Sequence, residues 1–190
     1  MKSILTAGLG ALLLLSLLAG CAKPLPVFGA VPEFSLKRES GEPVSKKSLE
    51  GGVWVADFIY TGCSEACPLL SMRMSELQKR LEKVLPIPLL VSISVDPETD
   101  TPERLSAYAK RYGADPSRWM FLTGDSEVIQ KTVTEGFKLS DVKSKEDGSI
   151  FHANKFVLVD RRGRIRGYYE SEEAGVKRLM EDLPRLQREE

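Results

Sequence analysis

Two stretches limit the folds open to this chain: Val53 to Tyr60 (VWVADFIY) and Leu89 to Val95 (LLVSISV). Each is a nearly continuous apolar run rich in β-branched and aromatic residues, too short for a membrane helix. Such runs suit strands covered on both faces. Between them Leu69, Leu70, Met74, Leu77, Leu81 and Val84 recur at helical spacing, and Pro86 and Pro88 forbid the helix from continuing. A covered strand, a helix and a second covered strand indicate alternating β and α elements.

The flanking sequence extends that unit. Thr101-Pro102 reads as an N-cap followed by the first helical position, opening a helix to about Tyr112 with Gly113 as its stop. Met120-Phe121-Leu122 is a short strand, and Asp125 caps a helix through Val128, Ile129 and Val133. Asn154 to Val159 and Arg164 to Tyr169 form a hairpin around Asp160-Arg161-Arg162-Gly163, and Ser171 caps a last helix with Val176, Leu179, Met180, Leu183 and Leu186 on one face. Phe34-Ser35-Leu36 and Pro43-Val44 make a short N-terminal hairpin. The expected fold is a mixed sheet with helices on both faces.

Before this domain lies a different composition. Lys2 precedes an uncharged apolar stretch, Ile4 to Leu18, which is shorter than the roughly 20 residues needed to span a bilayer. It ends in Leu18-Ala19-Gly20-Cys21, small residues before a cysteine as at an export cleavage site. An uncleaved signal anchor is the plainer alternative. Leu-Ala-Gly-Cys resembles a bacterial lipobox, which implies cleavage before Cys21 and a lipid on its sulfur. The expected organisation is a lipoprotein signal peptide over 1–20, a lipid-anchored linker over 21–32 (AKPLPVFGAVP after the cysteine, with no helical or strand period), and one domain over 33–190. Lys+Arg 27 against Asp+Glu 27 gives no global field that would favour nucleic acid.

Of the three cysteines, Cys63 and Cys67 remain once Cys21 is assigned to the anchor. A bridge between them would close a tiny loop and constrain the unfolded chain little, so a structural staple explains them poorly. They sit in Thr61-Gly62-Cys63-Ser64-Glu65-Ala66-Cys67-Pro68, where the first covered strand ends and a helix begins, the usual place for a site in an open α/β sheet. At i and i+4 both sulfurs can share one helix face. The partial positive charge of a helix N-terminus favours thiolates, so a partly exposed, reactive pair is expected rather than two inert buried cysteines. A dithiol can cycle to a disulfide or chelate a soft ion.

His152, the single histidine, stands just before the strand from Asn154. In a mixed sheet the loop entering a later central strand can lie beside the first strand's C-terminal turn. Two cysteines and a histidine suit copper or zinc; a structural zinc site would want a fourth ligand, which favours copper. Met72 and Met74 could offer thioether ligands, but methionine at helical spacing reads as core filling. Asp96 and Asp100 could supply charge near the thiols, but Asp beside Pro and Thr reads as turn and cap chemistry. Arg161, Arg162, Arg164 and Arg166 read as a basic surface strip that could dock an acidic partner.

From Phe34 to the C-terminus the chain resembles the Sco/SenC family of thioredoxin-fold proteins. The resemblance rests on Tyr60-Thr61-Gly62-Cys63-Ser64-Glu65-Ala66-Cys67-Pro68, Val91-Ser92-Ile93-Ser94-Val95-Asp96-Pro97-Glu98-Thr99-Asp100-Thr101-Pro102, Trp119 to Gly124, and His152 before Phe156-Val157-Leu158-Val159-Asp160. It implies a thioredoxin-like mixed central sheet flanked by helices, and one copper, Cu(I) or Cu(II), on Cys63, Cys67 and His152. It implies help in assembling the CuA site of cytochrome c oxidase subunit II, with an upstream copper donor, a thiol reductant and the membrane, through the lipid, as partners. The location implied is extracytoplasmic, on the periplasmic side. The alternative is a thiol–disulfide oxidoreductase using the same Cys63 and Cys67. Thioredoxins proper have two residues between their cysteines and a cis-proline opposite; this chain has three and no proline before the strand that follows His152.

Overall fold

The computed structural model describes residues 23–64, 66–139 and 154–189. Its centre is one sheet of eight strands in the order β1-β8-β7-β4-β5-β6-β2-β3. The strands are β1 (Gly29–Ala30), β2 (Ser35–Arg38), β3 (Pro43–Ser45), β4 (Trp54–Ile59), β5 (Leu89–Ser94), β6 (Trp119–Thr123), β7 (Lys155–Val159) and β8 (Arg164–Glu170). Helices α1 (Lys46–Leu49), α2 (Ala66–Leu81), α3 (Pro102–Arg111), α4 (Ser126–Lys131) and α5 (Glu173–Glu189) connect or follow them.

β4, β5 and β6 are parallel, and β7 joins β4 antiparallel on its other side. All six residues of β4 are buried, because each of its faces carries a separate core. Val55 and Ile59 face Leu70, Met74 and Leu77 of α2, with Leu105 of α3 and Leu179 and Leu183 of α5 in the same cluster. Trp54, Ala56 and Phe58 face the other way, towards Leu36, Val44, Leu49, Ile129 and Phe137. Period-two alternation thus operates within a run that reads as uniformly apolar.

The expected punctuation is present. Thr101 Oγ1 accepts from Arg104 N at 3.4 Å with Pro102 at the first turn of α3, and Gly113 follows the helix at φ 66°. Asp125 Oδ1 accepts from the amides of Glu127 and Val128, both at 3.0 Å. The N-terminal hairpin pairs Leu36 with Val44, and the late hairpin pairs Phe156 with Tyr169.

Three expectations need correction. Part of the segment expected to be linker belongs to the domain: Leu25 and Val31 are buried, and Gly29–Ala30 pair with Ile165 and Arg164 at the edge of β8. Two residues held by backbone pairing leave no period to detect. Ser171 does not cap α5, which begins at Glu173; its hydroxyl donates to Asn154 Oδ1 at 2.6 Å and accepts from Arg73 Nη1 at 2.6 Å. Of the late-hairpin arginines Arg162 is exposed as expected, but Arg164 and Arg166 do not belong to a surface strip. Arg166 is 3% exposed and donates to Asp160, to Glu189 and to the carbonyls of Leu25 and Pro26, while Arg164 Nε reaches the same Asp160 at 2.7 Å. Those cations fasten the incoming chain and the end of α5 to the sheet.

Candidate functional site

The C-terminal end of β4 runs into the turn Tyr60–Ser64 before α2 begins at Ala66. β4 is pinned on both sides, so this turn starts from a fixed position. Asp100 holds it. This residue is fully buried, and its carboxyl accepts from Thr61 N at 3.1 and 3.2 Å, from Thr61 Oγ1 at 2.5 Å and from Ser94 Oγ at 2.6 Å. The turn after β5 is thereby tied to the turn after β4. Asp100 does more than turn and cap chemistry; it sets the backbone two residues before Cys63.

Cys63 and Cys67 come together as expected. The amide of Cys67 donates to Cys63 Sγ at 3.3 Å, so the first sulfur fills the place of a helix-capping acceptor and faces the positive end of a peptide dipole. Both residues are free thiols. The expectation of partial exposure is not met: Cys63 is 8% exposed and Cys67 3%, both within the α2-side core. Burial pushes the Cys67 thiol well above its ordinary range, against the opposing pull of the Tyr60 backbone. The two sulfurs are therefore unequal. Cys63 sits at the helix end with an amide aimed at it, and Cys67 is one turn deeper among apolar side chains.

Two further groups enter the site without having been singled out from the sequence. Tyr60 hydrogen-bonds through its side chain with Cys63, and its phenol is pushed up to about 12 by burial, by that bond and by the charges of Cys63, Cys67 and Asp96. The second is Asp57, fully buried in mid-β4, neither of whose carboxyl oxygens has a hydrogen-bond partner among the described residues. Burial raises it to about 7, and the Ser92 hydroxyl beside it in register works in the opposite direction. Its charge in turn pushes Cys67 upward. The sequence signal for Asp57 was visible: one acid inside an apolar strand run.

The remaining candidates separate. Met74 is fully buried core, as expected, whereas Met72 is 53% exposed. His152 and Cys21 lie outside the described residues. Among the described residues no three His, Cys, Asp or Glu side chains cluster as a metal site, and no helix is long and apolar enough to cross a membrane. The described geometry supplies two adjacent sulfur donors on a rigid turn. Such a pair can bind a soft ion as thiolates or pass two electrons by forming a disulfide.

Comparison with known proteins places this geometry among relatives. The SCO1/SenC family model matches residues 26–188. A SCO1/SenC family lipoprotein from Bacillus anthracis superposes with TM-score 0.77 at 33% identity, covering 84% of this chain and 95% of that one. BsSco, a member of the Sco family of cytochrome c oxidase assembly proteins in which a disulfide switch has been identified, gives TM-score 0.77 at 32% identity over 87% and 98%. Copper-bound ScoI from Bradyrhizobium japonicum gives 0.67 at 29% identity over 83% and 99%.

Proposed function

The chain belongs to the SCO1/SenC family, and on that premise we propose that it is a copper chaperone that holds the ion on Cys63, Cys67 and His152. The observation that carries this reading is the Cys67 amide on Cys63 Sγ, which sets two soft donors side by side at the end of β4. A copper-bound relative at 29% identity supports the choice of ion. Two thiolates suit Cu(I), and an added imidazole suits Cu(II). Three protein ligands leave the ion open to ligand exchange, which delivery requires. Asp100 would keep the donor turn in place during that exchange, and Tyr60 would contribute a hydrogen bond to Cys63.

The client is cytochrome c oxidase, at the CuA site of subunit II, a reading supported by a relative described as an oxidase assembly protein. An upstream donor supplies the copper and a thiol reductant keeps the pair reduced. The protein works on the periplasmic side as a lipoprotein, its signal peptide (1–20) removed and Cys21 lipidated, in line with a relative described as a lipoprotein.

A second reading is favoured by the inequality of the two sulfurs. As a thiol–disulfide oxidoreductase, Cys63 thiolate would attack a client disulfide and release one client thiol. Cys67 would then attack the mixed disulfide, releasing the second thiol and leaving a Cys63–Cys67 disulfide, so that two electrons and two protons pass to the client.

A copper titration of the reduced full chain in detergent tests the chaperone reading. One copper per chain, thiolate-to-Cu(II) charge-transfer absorption, and loss of that band in His152→Ala are expected. Unchanged affinity and absorption in His152→Ala would remove the histidine. Absence of tight copper binding alongside rapid reduction of a disulfide substrate would establish the oxidoreductase reading instead.

A further inference from the structure

In the late hairpin Arg164 and Arg166 are engaged by Asp160 and Glu189, yet the molecule does present unpaired cations at a more telling place. On α3, Arg104, Ala107, Tyr108 and Arg111 line a groove of about 180 Å³ that Thr61 of the cysteine turn completes. Both arginines are exposed. Neither guanidinium has an ion-pair or hydrogen-bond partner among the described residues, whereas Arg38, Arg73, Arg80, Arg118 and Arg185 each pair with an acid. Positions i and i+7 share a helix face, which sets the two roots about 10 Å apart along it. Ala107 between them leaves the floor low.

We propose that this groove docks an acidic polypeptide segment of the client and so presents the client's thiols or metal-binding residues to Cys63. Thr61 is the link: it forms the groove wall, it lies two residues before Cys63, and Asp100 fixes both its amide and its hydroxyl. A carboxylate seated on Arg104 is therefore positioned against the same rigid turn that carries the cysteines. Guanidinium forks recognise carboxylates through paired N–H donors, so the preferred occupant has two acids at a matching separation. Exposed Lys110 adds to the positive field, and exposed Glu103 and the turn residues Asp96 and Glu98 oppose it. Asp100 does not compete, being buried and bonded to Thr61 and Ser94. Seating an acidic segment here raises encounter rate and fixes orientation.

The inference rests on the thiol-pair reading above, and the test separates the two. The full chain, reduced and in dodecyl maltoside micelles, is titrated at low ionic strength with rhodamine-labelled hexaglutamate and hexaglutamine peptides, read by fluorescence anisotropy. The glutamate peptide should bind about ten-fold more tightly, a preference that falls to within about two-fold at 0.5 M salt. Arg104→Glu with Arg111→Glu should abolish the preference, and Arg162→Glu, outside the groove, should leave it. The same peptides carrying a terminal cysteine capped with thionitrobenzoate then report transfer. Protein thiolate attacks the peptide sulfur and thionitrobenzoate leaves, about ten-fold faster for the glutamate peptide in wild type and without preference in the double variant. A preference that survives the double substitution, or that Arg162→Glu removes equally, would overturn the proposal. Groove-dependent binding to phosphatidylglycerol vesicles without any preference for hexaglutamate would overturn it in favour of a lipid surface. Copper titration of the double variant should match wild type; a wild type that binds no copper while the peptide preference persists would defeat the chaperone reading and leave the groove assigned.

Discussion

Asp57, in mid-β4, and Asp160, in the turn between β7 and β8, are both fully buried carboxyls, and their surroundings are opposite. Asp160 accepts from the amides of Arg162 and Arg164, both at 2.9 Å, and from the guanidiniums of Arg164 and Arg166. Burial pushes it up, but those donors outweigh burial and hold it below its ordinary value. Asp57 has burial with the Ser92 hydroxyl opposing it and no cation beside it among the described residues, so it rises to about 7. One carboxyl anchors Arg166, which ties the N-terminal segment and α5 to the late hairpin. The other is a destabilising group kept beneath the cysteine helix. The difference shows that a buried charge in this fold is structural where the chain supplies its donors, and that Asp57 is a cost accepted next to the site.

The largest expected effect breaks the Asp160 side. Arg166→Ala leaves Asp160 buried with Arg164 as its remaining cation and releases the carbonyls of Leu25 and Pro26. Loss of about 3–5 kcal/mol is expected in urea unfolding. A loss under about 1 kcal/mol would mean that the corner is solvated in solution.

The Asp57 side is read by pH. Below about pH 4 this carboxyl is protonated in both folded and unfolded chains and carries no cost. Between about 4 and 7 the unfolded chain releases its proton and the folded one does not, so stability falls as pH rises; above 7 both are ionised and the loss is complete. The fall amounts to something on the order of 4 kcal/mol. Asp57→Asn should remove it, so the stability difference between variant and wild type should grow from pH 4 to pH 8. Parallel pH profiles would show that Asp57 finds a partner in solution.

A smaller effect sharpens the comparison at the site itself. Asp100→Asn keeps the shape but weakens acceptance from Thr61 and Ser94, costing about 1–3 kcal/mol. Thr61→Val removes one of those donors and should cost about 1 kcal/mol. Both should also slow copper uptake or thiol exchange, because the turn loses its fixed register. An unchanged exchange rate in Asp100→Asn would make that carboxyl a stabilising group without a part in positioning Cys63.

Much of this was legible beforehand, for reasons that differ by element. The runs of β4 and β5 revealed themselves because strands covered on both faces are predominantly apolar, and the Thr101-Pro102 cap because its geometry is local. The cysteine pair was legible because a strand-to-helix turn is recognisable from its flanks. What escaped depends on distant partners. Gly29–Ala30 became a strand only because β8 offers an edge. Arg166 looked solvated until Asp160 and Glu189 closed over it. The role of Asp100 needed the proximity of two turns 39 residues apart in sequence. Burial of Cys63 and Cys67 was missed because a turn position says little about what packs above it.

The central claim is the ligand set, and X-ray absorption spectroscopy on the copper-loaded full chain tests it most directly. The account predicts two sulfur scatterers and one imidazole per copper, with the imidazole signature lost in His152→Ala and one sulfur lost in Cys63→Ser and in Cys67→Ser. A copper shell containing fewer than two sulfurs, or an imidazole signature that survives His152→Ala, would contradict it.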